Sequence, residues 1–491
     1  MSISFNQIPI DLRVPGVYAE IDNSRALKGL PGMPVKILVL GQRLAAGTVA
    51  EGVPTQVLDV AAAEEYFGRG SMLHLMFRAL KKANNFTETV AIALDDLGAG
   101  VAATGTLTFT GVPTQAGTLN LYIAGQRVRV GVITTDAVAD VASNVAAAVN
   151  AATDMPVTAG AALGVVTLTA RHKGESGNDI DLRLNYQLDE KTPAGLVLTI
   201  AAMGSVVAGT GNPDIATAIA AFGSDWYTDI AMPWTDAANL AALESELAAR
   251  FGPLQMMDGH AYAAARGTHG GLTTLGNSRN SPHLSVIGAD SSPTHPWAWA
   301  ATLCGVCAFH AKIDPARPFQ TLVLNSILPP AIDKRFTLEE RNLLLHDGIA
   351  TFTVDDGGLV HIERAITTYE TNAGGVDDPS YLDLNTLKTL AYLRYSVRAR
   401  ILTRYPRHKL ADDGTNYGAG QAIVTPSVLK MELVALFKDW EDAGLAEGIE
   451  QFKTSLIIER DAGDPNRVNA IIPPDLINQF RVFAAKIQFG L

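Results

Sequence analysis

The spacing of hydrophobic residues changes several times along the chain, and each change marks a change of architecture. In residues 35–98 the apolar positions are continuous. Val35-Lys36-Ile37-Leu38-Val39-Leu40-Gly41 and Thr89-Val90-Ala91-Ile92-Ala93-Leu94 both read as strands buried on two faces. Between them the pattern predicts a helix over 59–67 and a second over 71–84. The second carries Leu73, Met76, Phe77 and Leu80 on one stripe, with Ser71 as N-cap. Strand, helix, strand is the signature of an α/β unit.

Residues 99–207 instead alternate over short runs such as Gly105-Thr106-Leu107-Thr108-Phe109, Leu119-Asn120-Leu121-Tyr122-Ile123 and Val165-Val166-Thr167-Leu168-Thr169. Turn residues separate these runs, so they read as short strands, with one helix over 136–152. Residues 208–375 return to the α/β pattern. Asp229-Ile230-Ala231-Met232-Pro233-Trp234 looks like a strand end, and Thr235 or Asp236 caps a helix that turns Leu240, Leu243 and Leu247 inward. Further strands fall at 260–265 and 284–287. Pro296 opens a buried helix, and Thr337 caps another with Glu339 and Glu340 in its first turn. The β-rich stretch is thus expected as an insert between two halves of one α/β domain.

The C-terminal part begins near Val376. Leu384, Leu387, Leu390, Tyr392, Val397 and Ile401 follow helical spacing over 383–405, and Pro406 ends that helix. A helix over 426–443 follows, then strand-like runs at 452–459, 467–472 and 478–489. At the other end, Pro9, Pro15, Pro31 and Pro34 break residues 1–34 into an extended arm. Its one alternating run, Val17-Tyr18-Ala19-Glu20-Ile21-Asp22, predicts a short strand with no local partner. The fold class is therefore α/β, a mixed sheet with helices on both faces, carrying an inserted β-rich domain, an α+β C-terminal domain and extended arms. The expected division is 1–34 linking arm, 35–98 and 208–375 core, 99–207 insert, and 376–491 C-terminal domain with a terminal strand arm.

Composition narrows the partners. A chain of 491 residues exceeds what one core usually supports. The net charge of −12 argues against nucleic acid as the main partner, because phosphate contacts need clustered Lys and Arg. Cys304 and Cys307 are the two cysteines, so there is no disulfide framework. The opening residues lack a basic stretch followed by an apolar run, and the apolar stretch at 297–309 is too short to span a bilayer. A soluble protein made in a cytoplasm is expected.

Candidate chemistry is sparse. Cys304-Gly-Val-Cys307 lies inside an apolar helix and reads as two buried thiols. His269-Gly-Gly has no accompanying G-x-S-x-G and reads as a glycine turn. Asp355-Asp356-Gly357-Gly358 and Asp412-Asp413-Gly414 lack the remaining ligands of a calcium loop and read as turns. Arg394, Arg398, Arg400, Arg404, Arg407 and Lys409 form a basic run on and after the long helix. It suits the helix dipole as a solvated face, or an acidic neighbouring subunit. No catalytic, cofactor or metal site is expected.

The ends of the chain carry a resemblance. Val14-Pro-Gly-Val-Tyr-Ala-Glu-Ile-Asp22 resembles the opening of contractile tail sheath proteins, as do Ile37-Leu-Val-Leu-Gly-Gln42, residues 57–67 and Gly70-Ser-Met-Leu73. Val468-Asn-Ala-Ile-Ile-Pro-Pro-Asp-Leu-Ile477 and the run to Phe489 are similar to the family's last strand, proline pair and terminal strand. Length and order look closest to the sheaths of Mu-like phages.

The resemblance implies a structural virion protein that is not an enzyme and needs no cofactor. Its subunits polymerise around a tail tube in an extended, metastable helix, then contract to drive the tube through the host envelope for genome ejection. The implied partners are further copies of the chain, the tube protein, and baseplate and tail terminator proteins, without nucleic acid or membrane insertion. Assembly occurs in the host cytoplasm. Neighbours are linked by arms that add strands to an adjacent sheet. The arm residues are Val17, Tyr18, Ala19, Glu20 and Ile21 at one end, and Phe480, Val482, Phe483, Ile487 and Phe489 at the other. The helix over 426–443, with Lys430, Glu432, Lys438, Asp439 and Glu441, is the candidate tube contact. The alternatives are the sheath of a phage-tail-like bacteriocin or injection system, an α/β hydrolase, and a carbohydrate-binding adhesin using the insert.

Overall fold

The computed structural model describes residues 13–19, 30–418 and 420–490. The chain forms two compact units. The larger holds residues 35–313 and 319–384; the smaller holds 314–318, 385–490 and the described residues before Val35.

The larger unit opens with β1 (Lys36–Gln42), β2 (Thr55–Gln56), α1 (Val60–Phe67), α2 (Met72–Ala83) and β3 (Glu88–Leu94). β4 (Ala102–Thr110), β5 (Gly117–Ile123), β6 (Gln126–Val132), α3 (Val138–Ala151), β7 (Val157–Ala162), β8 (Val165–Lys173), β9 (Leu182–Leu184) and β10 (Val197–Ala201) follow. The chain then continues through α4 (Ala216–Ala221), β11 (Asp229–Ala231), α5 (Ala237–Phe251), β12 (His260–Ala265), α6 (His269–Asn277) and β13 (Leu284–Gly288). It closes with α7 (Pro296–Ile313), α8 (Leu338–His346), β14 (Ile349–Val354) and β15 (Val360–Arg364).

One eight-stranded sheet runs β15-β14-β13-β12-β11-β1-β3-β2. Its interior pairs are parallel, and β15 and β2 flank it antiparallel. β1 pairs with β3 on one side and with β11 on the other, so the residues between β3 and β11 leave the sheet uninterrupted. The continuous apolar pattern of β1 and β3 follows from burial on both faces: Ile37, Leu38, Ile92 and Ala93 have no solvent exposure. Caps start the helices where the sequence suggests. Ser71 accepts the His74 amide at 3.1 Å, Asp236 accepts the Asn239 amide at 3.1 Å, and Thr337 forms a capping box with Glu340.

Residues 102–201 build two further sheets, β10-β4-β8-β7 and β6-β5-β9. Leu107 and Phe109 of β4, Leu119 and Leu121 of β5, Val166 and Leu168 of β8 and Val145 of α3 share one hydrophobic cluster, separate from the cluster under the eight-stranded sheet.

The smaller unit is built on α9 (Leu384–Arg404), whose first residue still belongs to the larger one, and α10 (Pro426–Asp442). Between them lie β16 (Lys409–Leu410) and β17 (Ile423–Val424). β18 (Ala446–Glu447), α11 (Ile449–Ser455), β19 (Ile457–Arg460), β20 (Val468–Ile471) and β21 (Asp475–Leu476) complete it. Phe437 and Phe452 stack with centroids 4.1 Å apart, and the Trp440 indole donates to Ser396 at 2.9 Å.

Two sequence expectations change here. The run at 452–459, read as a strand, begins as helix α11, and only Ile457–Arg460 is extended. Phe452 and Leu456 are buried one helical turn apart, so burial follows the helical rather than the strand period. The run at 478–489, read as a strand, has no strand in the single chain.

Candidate assembly surfaces

Without a ladder partner, alternation alone cannot make a strand, and both ends of the chain illustrate this. Val17, Tyr18 and Ala19 form no strand; Val17 is fully exposed, and the Tyr18 hydroxyl donates to the Val14 carbonyl at 3.2 Å. Glu20 and Ile21 lie outside the described residues. At the other end Arg481 donates to Asn385 at 3.5 Å. Around and beyond it Phe480, Val482, Phe483, Ile487 and Phe489 are 73–89% exposed. A run of large apolar side chains in water is the kind of surface that marks an interaction site.

On α10 the candidate contact residues separate. Lys438 is exposed, and Lys430, Asp439 and Glu441 are half-buried. Glu432 is a correction: it is buried and faces α9. Its carboxylate accepts from Arg400 at 3.1 Å and from Arg404 at 2.8 Å, and from the Tyr405 hydroxyl at 3.3 Å. Arg400 also bonds Asp439. Burial first, and then the Glu432 carboxylate, push the Tyr405 hydroxyl up to about 12. The basic run is therefore divided, with Arg400 and Arg404 serving an internal ion cluster. The one signal of this in the sequence is that Arg400 and Arg404 sit four residues apart on a helix, on the same face.

The motif candidates resolve into structural roles. Cys304 and Cys307 are buried on α7. His269-Gly-Gly, read as a glycine turn, forms the first turn of α6 behind the Thr268 cap. Asp355 accepts the Leu359 amide at 2.8 Å and contacts His361 at 3.0 Å, closing a turn. Asp412 pairs with Arg460 at 2.9 Å, and Asp413 accepts the Ser427 amide at 3.1 Å. Asp229, His260 and Ser285 do fall on the adjacent strands β11, β12 and β13. His260 lies 2.8 Å from Ser285, but the Ser285 hydroxyl donates to the Ile366 carbonyl and is fully buried, so it presents no nucleophile to a substrate.

The resemblance in Gly70-Ser71 also gains a physical reason. Gly70 has φ of +78°, and a Cβ there would sit 2.8 Å from the Thr153 carbonyl and 3.0 Å from that of Met155. Only glycine lets the start of α2 approach the β7 side of the insert this closely.

An α/β body, a separately cored insert and a C-terminal unit with exposed apolar ends describe a polymer subunit rather than a catalyst. Residues 208–368 match the phage tail sheath protein central domain, and residues 376–490 match the phage tail sheath C-terminal domain. The chain belongs to the phage tail sheath family, a structural and non-enzymatic one. It is 45% identical over 491 residues to the Mu-like prophage FluMu tail sheath protein of Haemophilus influenzae, with all of both chains covered. Its fold is similar to that of the sheath tail protein from Listeria innocua, at TM-score 0.50 and 10% identity over 92% of this chain and 93% of that one. It is similar also to the helical sheath of the anti-feeding prophage in its contracted state, at TM-score 0.50 and 12% identity over 97% and 99%.

Proposed function

We propose that this chain polymerises as a helical sheath around a tail tube, is held there in an extended state, and shortens to drive the tube through the host envelope during genome ejection. The observation that carries the reading is the exposed apolar segment Phe480–Phe489 at one end of a chain similar throughout its length to a tail sheath protein. In a polymer these residues and Val17–Ile21 add as strands to the sheet of a neighbouring subunit. The β19–β20 hairpin, a two-stranded sheet, offers edges for that addition. The body formed by 35–98 and 208–375 makes the contacts that change on shortening, and 99–207 projects from it. Lys430, Lys438, Asp439 and Glu441 face the tube, where exposed ion pairs grip weakly and release. Arg394, Arg398, Arg407 and Lys409 face an acidic neighbour. Baseplate and terminator proteins bound the polymer.

Negative-stain microscopy of the purified protein tests this. Full-length chain should form tubes. Chains lacking 478–491, or lacking 1–24, should stay dispersed with unchanged circular dichroism. Tubes of normal width from either truncated chain would refute the linking role of that arm.

A further inference from the structure

β13 and β14 pair in parallel, and a pocket of about 160 Å³ opens beside their carboxyl ends. It is bounded by Gly288, the last residue of β13, by β14 from Ala350 to Val354, and by Leu344 of α8. That is the end of an open α/β sheet at which ligands settle. Phe336, Leu344, Phe352 and Val354 contribute apolar wall, and the volume suits a group the size of one aromatic ring. Among the described residues, no Asp or Glu lines it.

The polar side chains of the wall differ in how well they are satisfied. Arg341 is engaged: its Nε donates to Glu363 at 2.8 Å and its Nη1 to the Phe336 carbonyl at 2.8 Å. Arg335 is half-buried, donates through Nε to the Pro330 carbonyl at 3.1 Å, and forms no ion pair among the described residues. Thr351 is 3% exposed, and its hydroxyl has no hydrogen-bond partner. A guanidinium partly out of water without a counter-ion and a buried hydroxyl without a partner both cost free energy, and both line the same pocket.

We propose that this pocket binds a small monocarboxylate with an apolar body. Its ring or alkyl group lies among Phe336, Leu344 and Phe352, and its carboxylate accepts from Arg335 and from the Thr351 hydroxyl. The planar guanidinium fork matches a carboxylate. A single guanidinium balances one negative charge, which favours a carboxylate over a phosphate monoester carrying nearly two. The apolar walls favour a body without further polar groups, which would lose water and gain no partner. The pocket lies wholly in the larger unit, so binding needs no second copy of the chain. A bound acid would tie the segment ahead of α8 to β14.

Benzoate tests this, with benzyl alcohol as an uncharged probe carrying the same ring. Saturation-transfer NMR on the full chain at about pH 7.5 should show saturable benzoate binding with a Kd of about 0.1–1 mM, ordinary for so small a ligand, and benzyl alcohol about tenfold weaker. Arg335→Gln should weaken benzoate about tenfold and leave benzyl alcohol within about twofold, so that the two bind alike. In the natural chain, benzoate at about ten times its Kd should slow amide exchange in β14 about tenfold and leave α10, in the smaller unit, unchanged. Absence of saturable benzoate binding up to about 10 mM, equal affinity for the two probes, or benzoate binding that Arg335→Gln leaves unchanged overturns the proposal. Should the variant fold poorly, exchange in the natural chain locates the site, and slowing confined to segments other than α8 and β14 overturns it as well.

Discussion

Glu432 tests whether the α9–α10 contact is an internal ion cluster or a surface held ready for a partner. Its side chain is 8% exposed, and that of Arg400 is 11% exposed. Removing one partner of a buried pair costs about 3–5 kcal/mol, because the charge left behind is uncompensated. Glu432→Ala falls at the low end. Arg400 keeps its bond to Asp439, and Arg404, at 39% exposure, regains water. The expected loss is about 3 kcal/mol, or about 150-fold in an opening equilibrium. Amide exchange in α9 and α10 reads the smaller unit directly, where a melting curve of the whole chain would mix two units. Protection in Leu393–Arg404 and Ser427–Trp440 should fall about 150-fold, and Glu432→Gln should fall less. If Glu432→Ala leaves protection within a factor of two or three while weakening tube binding, the carboxylate belongs to the tube contact and the cluster reading is wrong.

Gly70→Ala places a Cβ against two carbonyls of the insert in a left-handed backbone. It should cost about 2–3 kcal/mol and lower the melting temperature by several degrees, with exchange rising first around Met72. Asp179 gives a pH signature of opposite sign to that of His295, which burial holds below the usual histidine range. Burial raises its carboxyl to about 6, so the folded chain holds a proton that the unfolded chain releases above about 4, and the stability this contributes is lost as pH rises through 6. Asp179→Asn should therefore stabilise the protein by about 2–3 kcal/mol at pH 7.5 and leave it unchanged below pH 4 in urea titrations. Destabilisation at pH 7.5 would mean that the carboxylate is charged and paired.

What the sequence disclosed followed from the period of burial. β1, β3, β12 and β13 are buried on both faces and read as continuous apolar runs, and the caps Ser71, Asp236 and Thr337 announced their helices. The insert's alternation was legible because β4 and β8 turn one face inward. The polar junctions were not legible. His172 meets Met72 across 100 residues, and Glu432 meets Arg400 across 32, and nothing local in the sequence encodes either approach. Residues 452–459 misled because Phe452 is buried by a helix whose first residue follows Gly448 in a left-handed turn.

The two ends of the chain read as strands from their alternation, yet residues 17–19 and 478–489 form no strand in the single chain, and the energetics explain why. Burying the five exposed side chains Phe480, Val482, Phe483, Ile487 and Phe489 against a neighbour would return about 1.5–3 kcal/mol each, or about 8–15 together. Fixing the roughly ten residues that carry them costs about 1–2 kcal/mol each, a sum of similar size. Side-chain burial alone thus leaves the arm near balance. The net gain has to come from backbone hydrogen bonds, at about 0.5–1.5 kcal/mol apiece, which form only when the segment adds to the edge of a sheet. An arm that merely plugged an apolar groove would be replaceable by any greasy sequence. One that binds as a strand should tolerate conservative apolar substitution and fail with a single proline at a ladder position such as Val482.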